Sequence, residues 1–359
     1  MSCKSFFLIL LFPFFGNAQS SLSDIFLRLD FSSAEQLIEL SEGKTNNINR
    51  FTELKGTQIA AATSVLLARE NFFSAVFKEH LELFYNNSYI QKDIFGLTQT
   101  RTLLPHIKAL LSEIKKRSVD KRVLATLSAF FPSDAKISGT IPVYFVAMGN
   151  ENATAFVRRV VWKDGTPIFV GHDEGETIIV VNLAKIVQYN AKTEIHFIET
   201  LSTLAHECFH ALFSMYQQNS PQWKTAREHS TPTSVLTELV QNEGIAYYIS
   251  LQQQLGGETP PTQWFTETTQ ALQTLQKILD ELSSPNLTSA RARELIMNAN
   301  LSGSFQKNYG ATAGLRMAYE IDTKLGRKVL TETIKNGTED FFEKYLEVAK
   351  QYGLPEIKI

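Results

Sequence analysis

Apolar positions recur with a helical period over the first third of the chain. The pattern runs from about residue 20 to residue 131 and predicts one long helix over residues 59–84, free of Gly and Pro and apolar on one face. Pro132-Ser133-Asp134 then breaks the period. We therefore expect a helical N-terminal region over residues 19–133, followed by a second domain over residues 134–359.

The pattern changes to that of strands after this break. Runs rich in β-branched and aromatic residues at 140–148, 155–162 and 177–182 predict three strands. Asp164-Gly165 is typical of a turn, from which residues 168–171 return as a short fourth strand. The simplest arrangement of these segments is a small, mainly antiparallel sheet.

The helical period returns after Tyr189 and continues almost to the last residue. The pattern there predicts six helices, at 195–216, 234–255, 261–282, 290–298, 310–325 and 339–351. The predicted fold class is therefore α+β and mostly α-helical, with a helical N-terminal region, a small sheet and a helical C-terminal part.

Composition narrows the class of protein. Of the 359 residues, 43% are hydrophobic and 20% are charged, which is typical of a globular protein with a sizeable core. The net charge of −2, with no basic run interleaved with aromatic residues, argues against a nucleic-acid partner.

The first 18 residues resemble a secretory signal peptide. Lys4 precedes an apolar run over residues 6–15, and the small residues Gly16 and Ala18 follow it, so we expect cleavage after Ala18. The run is shorter than the ~20 residues of a spanning helix, and no later segment is apolar enough. We expect a secreted or periplasmic protein without a membrane span. Its single remaining cysteine, Cys208, excludes an intramolecular disulfide.

The sequence His206-Glu207-Cys208-Phe209-His210 is the pattern H-E-x-x-H. Residues four apart share one face of a helix, so both imidazoles can bind one metal ion. Glu207, offset by one residue, can act as a general base beside that ion. The apolar stripe around the motif predicts the helix that this needs, and Cys208 falls on another face, where we expect it to pack in the core.

Two histidines leave a catalytic zinc ion short of the three protein ligands that it usually has. Downstream candidates for the third ligand are Glu238, Glu243 and His229. We favour Glu243, because its small neighbours Gly244 and Ala246 let its helix approach another helix closely. Glu238 lies about 140° around the same helix from Glu243, so it is a candidate to hold a histidine N–H instead.

These residues resemble those of the gluzincin metallopeptidases. H-E-C-F-H followed by Asn242-Glu243-Gly244-Ile245-Ala246-Tyr247-Tyr248 is similar to the motifs of the aminopeptidase N and leukotriene-A4 hydrolase group. The resemblance implies that His206, His210 and Glu243 bind zinc and that Glu207 is the general base. It also implies that Tyr309, ahead of Gly310-Ala311, stabilises the tetrahedral oxyanion.

Two departures from that group limit what the resemblance implies. Between His210 and Glu243 lie 32 residues, more than in that group, so an insertion around residues 217–233 is expected. The Gly-x-Met-Glu-Asn motif that binds the substrate amine there is absent, so the resemblance does not imply aminopeptidase specificity. The chain is closer in size to the compact gluzincin-like peptidases that bacteria export.

The resulting hypothesis is a secreted zinc metallohydrolase, with one Zn²⁺ per chain and a peptide or protein as substrate. One alternative is an exported binding or scaffold module whose zinc is structural or lost. Another is a zinc hydrolase of non-peptide amides or esters, since the same activated water serves both reactions. Cleavage specificity and oligomeric state stay open at this point.

Overall fold

The computed structural model describes residues 22–70, 74–149, 153–171, 174–188, 192–300 and 308–359. The N-terminal region contains one strand and six helices in these ranges. They are β1 (Ile25–Asp30), α1 (Ser32–Ser41), α2 (Ile48–Glu53), α3 (Lys55–Ala68), α4 (Ser74–Tyr85), α5 (Leu97–Lys116) and α6 (Val119–Ser128).

The long helix predicted over residues 59–84 is two helices, α3 and α4. Helix α3 ends because Arg69 adopts a left-handed conformation with φ of 54°, and its N–H bonds back to the carbonyl of Leu66. Such a residue closes a helix by satisfying its last carbonyl groups. An apolar period alone does not mark this stop, because Arg is not a residue typical of left-handed caps.

The four predicted strands are all present, together with the N-terminal strand. They are β2 (Gly139–Val146), β3 (Ala155–Lys163), β4 (Thr166–Phe169) and β5 (Glu176–Asn182), and the order in the sheet is β1-β2-β5-β3-β4. Strands β2 and β5 lie inside the sheet and are buried along most of their length, which is typical of strands covered on both faces.

The sheet is mixed, which corrects the expectation of a mainly antiparallel one. Strand β1 pairs with β2 in parallel and β2 pairs with β5 in parallel, whereas β3 is antiparallel to both β5 and β4. Strands β1 and β2 can pair in parallel because six helices of the described ranges separate them, and parallel neighbours need such a crossover connection. Strands β3 and β4 separate β2 from β5. The prediction that the fold is α+β and mostly helical is confirmed.

The C-terminal part is helical, as predicted. Its buried residues belong to the same hydrophobic core as those of the sheet and the N-terminal helices. The elements are α7 (Leu183–Ile186), α8 (Thr193–Asn219), α9 (Pro221–Glu228), α10 (Pro232–Leu255), α11 (Thr262–Leu282), α12 (Ser289–Met297), a short 3₁₀ turn (Asn298–Asn300), α13 (Tyr309–Leu325), α14 (Arg327–Asn336) and α15 (Thr338–Tyr352). Helices α7, α9 and α14 are absent from the sequence-based prediction.

Helix α10 packs against both α8 and α13, while α8 also packs against β3 and β5. This places α8 between the sheet and α10. Helix α9 lies within residues 217–233, where the resemblance to the gluzincins indicated an insertion. Among the helices in the described ranges, none combines the length and apolar character needed to cross a membrane.

Candidate metal centre

Helix α8 carries the two histidines of H-E-x-x-H one turn apart. The rings of His206 and His210 have centroids 4.6 Å apart, and their Nε2 atoms lie 3.0 Å from each other. Their side chains are 13% and 16% exposed. The helix therefore presents two imidazole nitrogens to a single point that is mostly, but not fully, shielded from solvent.

Helix α10 brings Glu243 to the same point. Its Oε2 lies 3.4 Å from Nε2 of His210 and 3.7 Å from Nε2 of His206. One donor atom from each of the three residues lies within 4.8 Å of the other two. Two imidazole nitrogens and a carboxylate oxygen are a donor set that zinc accepts, and this set leaves a fourth position open.

Asn242 orients one of the histidines. Nδ1 of His210 donates to Oδ1 of Asn242 over 2.9 Å. In the neutral form of the ring, which binds a metal ion, this bond places the proton on Nδ1 and directs the lone pair of Nε2 at the centre of the cluster. Asn300, which ends the 3₁₀ turn, hydrogen-bonds Glu243. Each of these asparagines thus restrains one member of the cluster.

Charges within the cluster are strongly coupled. Burial lowers the pKa of His206, and the charge of His210 lowers it further, to about 3. For His210 burial also acts downward, but the charge and hydrogen bond of Glu243 outweigh it and raise the pKa to about 9. Burial opposes ionisation of Glu243, yet His210 and His206 hold its pKa below the ordinary value. At neutral pH the metal-free cluster thus holds a proton on His210 beside an ionised Glu243.

Glu207 lies next to His206 on α8 and meets the edge of β3. Burial raises its pKa to about 7, and the charge of Glu243 adds to this effect. His210, Arg158 and the backbone N–H of Val157, which hydrogen-bonds the Glu207 side chain, act in the opposite direction. A carboxyl group with a pKa near neutrality can both accept and release a proton there, which general acid–base catalysis requires.

The other candidates for the third ligand lie elsewhere. Glu238 accepts a hydrogen bond from Gln217 over 2.8 Å and forms an ion pair with Arg227 at 3.4 Å. His229 is exposed, and its Nδ1 lies 3.1 Å from the backbone carbonyl of Thr225. Of the three, the structure brings only Glu243 to the histidines.

Cys208 is fully buried and free, and burial raises its pKa well above the ordinary value. It therefore packs in the core as an uncharged thiol, in agreement with the interpretation of its position on α8. Among the described residues, Cys208 is not part of the cluster of possible metal ligands.

The hydroxyl of Tyr309, which the resemblance assigns to the oxyanion, is engaged within the fold. Its hydroxyl is buried and donates to the backbone carbonyl of Leu295 over 2.9 Å. Burial raises its pKa, and the charges that act on it are those of Arg291 and Glu281, not those of the site. Its proton is therefore engaged by a backbone carbonyl in this structure, which does not favour the oxyanion role.

A different tyrosine lies at the cluster. The ring of Tyr247 meets that of His206 edge-on, with centroids 4.6 Å apart and an interplanar angle of 74°. Tyr247 and Asn242 were not predicted from the sequence, although both lie in the motif at residues 242–248. The available signal was helical spacing, because Tyr247 follows Glu243 by one turn and so shares its face.

Comparisons with known proteins identify a family for this chain. Comparison with curated proteins and with solved structures gives no significant match. A family model with the description "Putative zinc dependent peptidase (DUF5700)" matches residues 48–353, which include the whole cluster and most of the chain. This match supports a zinc peptidase, and the chain belongs to this family.

Proposed function

We propose that the protein is a peptidase that binds one zinc ion through His206, His210 and Glu243 and hydrolyses peptide bonds with Glu207 as general base. The observation that carries this proposal is the convergence of three donor atoms within 4.8 Å, next to a carboxyl group with a pKa of about 7. The family match agrees with it. We also propose that the protein is related to the gluzincins. This part of the proposal depends on two sequence motifs, H-E-x-x-H at residues 206–210 and the motif at residues 242–248.

The residues fit a catalytic site better than a structural one. When bound, zinc supplies a Lewis acid that activates water and polarises a carbonyl group. A structural site usually closes with four protein ligands, whereas the cluster among the described residues has three. The side chains of His206 and His210 also keep some exposure. The centre is therefore not completely closed to solvent.

Glu207 performs the proton transfers in this proposal. Its carboxylate takes a proton from the attacking water and later gives that proton to the nitrogen of the leaving amine. The N–H of Val157 and the charge of Arg158, both on β3, favour its ionised form, while burial favours its protonated form. In the metal-free chain this balance keeps both forms accessible near neutral pH. A bound zinc ion would favour the ionised form, which is the form that takes the proton from water.

The test combines zinc content with peptide cleavage. We expect about one zinc per purified chain by elemental mass spectrometry and cleavage of members of an internally quenched peptide library. Glu207→Gln keeps the size of the side chain but removes its basicity. This variant should retain zinc and lose at least ~10²-fold in rate.

Glu238→Gln is the matched control, because Glu238 pairs with Arg227 outside the cluster. It should retain both zinc and activity. Full activity in Glu207→Gln contradicts the assignment of the base. A fully zinc-loaded wild-type protein that cleaves no peptide contradicts the peptidase proposal, and cleavage of amide or ester substrates instead would favour the non-peptide hydrolase.

We also propose that the mature chain begins after Ala18 and works outside the cytoplasm, a prediction from the apolar run at residues 6–15. Those residues lie outside the described ranges. N-terminal sequencing of the protein from the culture medium or periplasm of an expressing bacterium tests it. Recovery of an uncleaved chain in the cytoplasm alone would contradict it.

A further inference from the structure

A groove with a volume of about 990 Å³ lies beside the N-terminal part of α10. Helix α9, helix α15 and residues 357–359 form most of the rest of its lining, and none of the three residues of the metal cluster takes part. Helix α9 belongs to the segment 217–233, which departs from the gluzincin pattern. This lateral groove therefore lies outside the metal centre and outside the motifs shared with the gluzincins.

The floor of the lateral groove is apolar. Trp223, Phe342 and Ile357 line it and are at most 2% exposed. Val235 and Ile359 also line it, although these two aliphatic residues are 43% and 54% exposed. An occupant that covered them would remove apolar surface from water, which favours association.

Two helices present similar faces to the lateral groove. On α15 the lining residues are Glu339, Phe342, Glu343 and Leu346. Their spacing of i, i+3, i+4 and i+7 is that of one helix face, and the same spacing recurs from Thr231 to Glu238 at the start of α10. Each face extends for two turns, about 10 Å. A groove between helix faces of this length suits an amphipathic helix better than an extended strand, which needs an open sheet edge.

The charges that line the lateral groove do not balance. Arg227 forms an ion pair with Glu238 at 3.4 Å, and Lys358 forms one with a neighbouring glutamate at 3.2 Å. Glu339 and Glu343 are exposed, and neither forms an ion pair among the described residues. They lie one turn apart on α15, where like charges repel each other. The uncompensated charge of the groove is therefore negative.

We propose that the lateral groove is a docking site for protein substrates, and that it binds a helical segment with apolar residues on one face and Lys or Arg beside them. The apolar face covers the floor, and the basic side chains pair with Glu339 and Glu343. Charge complementarity selects a basic segment, since an acidic one would add to the repulsion between these glutamates.

This inference rests on the proposed peptidase function, because the docked chain is also the chain that is cleaved. Helix α10 contributes to both places. Glu238 at the groove and Glu243 at the metal centre are five residues apart, about 7.5 Å along the helix axis. A flexible segment next to the docked helix is therefore long enough to reach the metal centre within a few residues.

The first experiment measures the binding of a defined probe to zinc-loaded Glu207→Gln protein, which does not consume it. The probe is a fluorescent, ~18-residue peptide of Leu, Lys and Ala with Leu on one helix face. Fluorescence anisotropy gives its Kd. A matched peptide with Glu in place of Lys should bind at least ~10-fold more weakly. Equal affinity for the two peptides would overturn the proposal.

Glu339→Gln combined with Glu343→Gln tests the acidic wall. Two exposed ion pairs are lost, so the Kd of the Lys peptide should rise by about 3–30-fold. The matched control combines Glu258→Gln with Glu347→Gln, which removes two exposed charges outside the groove. The control should keep the wild-type Kd. The same rise in both double variants would show that only the net charge of the protein matters, which overturns the assignment of the groove.

Val235→Lys tests the apolar lining. The variant loses an aliphatic contact and gains a charge that repels the Lys peptide, so we expect at least ~10-fold weaker binding. Ile195→Lys is the control, because Ile195 is 41% exposed on α8 and lies outside the groove. Circular dichroism checks that both variants keep the fold. Unchanged binding in a folded Val235→Lys protein would overturn the proposal.

The second experiment links the lateral groove to cleavage. The library peptide that the wild type cleaves best is joined to the Lys segment through a ~10-residue Gly/Ser linker, at either end in separate peptides. Docking raises the local concentration of the scissile bond, so KM of at least one extended peptide should fall by about tenfold or more, with kcat near that of the short peptide. In Glu339→Gln/Glu343→Gln this gain should shrink, while kcat and KM for the short peptide stay at their wild-type values.

The outcomes separate this inference from the function on which it rests. Zinc-loaded wild-type protein that cleaves no peptide contradicts the proposed peptidase function, whatever the groove binds. Cleavage of the short peptide, with no fall in KM for either extended peptide, overturns the docking site and leaves the peptidase in place. A wild-type dimer in light scattering that Val235→Lys dissociates would assign the groove to a second copy of this chain and would also overturn the proposal.

Discussion

Gly244 on α10 and Gly314 on α13 lie in backbone contact. A Cβ atom added to Gly244 would stand 2.2 Å from the carbonyl carbon of Gly314, and one added to Gly314 would stand 2.0 Å from the carbonyl oxygen of Val240. The two helices therefore cross with no side chain between them. Because Glu243 immediately precedes Gly244, this crossing fixes the height and rotation at which α10 presents its carboxylate to α8.

Gly314→Ala should therefore destabilise the protein and disturb the metal centre. The added methyl group meets backbone atoms, which cannot rotate away, so we expect a loss of at least about 1–3 kcal/mol in the free energy of unfolding. Chemical denaturation measures it, and zinc affinity should fall with it. Gly171→Ala is the control, because an added Cβ there meets nothing within 4 Å. Equal stability of the two variants would contradict the close crossing.

The strands show how far the sequence predicts the sheet. The runs that became β2, β3 and β5 were recognised because β-branched and aromatic residues are dense there. Strand β1 was missed, although Ile25 and Leu27 are buried and Phe26 between them is exposed. This alternation covers only six residues, and its partner β2 lies more than a hundred residues later. Local pattern cannot identify a parallel partner at that distance.

The same distinction applies to the site: some of its residues are predicted by local spacing, and others only by the packing of distant helices. His206 and His210 were found because their spacing within one helix already implies a shared face. The choice of Glu243 over Glu238 depends on the packing of α10 on α8. The small residues beside Glu243 indicate a close helix contact but do not identify the partner helix. The prediction for Tyr309 does not fit, because no motif reveals that a hydroxyl is engaged by a backbone carbonyl such as that of Leu295.

Asn242→Ala should weaken zinc binding without unfolding the chain. The variant removes the acceptor that holds Nδ1 of His210 at 2.9 Å, so the ring loses its fixed tautomer and orientation. Loss of such a partner typically lowers metal affinity by ~10–100-fold. Competition with a chromophoric chelator measures the change. Asn219→Ala is the control. Asn219 is exposed at the end of α8, the helix that carries His210, and its replacement should leave the zinc affinity unaltered.

Cys208→Ala should retain the full zinc content. The thiol is buried in the core and is not part of the cluster, so its removal leaves only a small void. We expect a loss of about 1 kcal/mol, as for one deleted methylene group. Elemental analysis and denaturation measured on the same sample check both statements. A loss of zinc would show that the thiol, and not only the three residues of the cluster, supports the metal.

Removal of zinc should lower the thermal stability of the protein. Zinc that binds only the folded chain adds about 2.7 kcal/mol when its free concentration is a hundred times Kd. Dialysis against a chelator should therefore lower Tm by several degrees, and added zinc should restore it. In His206→Ala the same treatment should shift Tm far less. An identical chelator effect in both proteins would place the stabilising metal outside the cluster.

Zinc affinity should rise steeply with pH between about 7 and 9. In the metal-free protein the pKa of His210 is about 9, since the charge of Glu243 outweighs the effect of burial. Zinc needs the neutral imidazole, so below that pKa its binding releases a proton and affinity increases up to about tenfold per pH unit. His206, with its pKa lowered, and Glu243, already ionised, add no dependence in this range. A histidine with an ordinary pKa would give a plateau above about pH 7.

Calorimetry in two buffers with different ionisation enthalpies counts the protons, and we expect about one per zinc at pH 7.5. In Glu243→Gln the carboxylate that retains the proton is gone, so the rise should move below pH 7 while the affinity falls. A flat affinity between pH 7 and 8.5 in the wild type would contradict the raised pKa of His210.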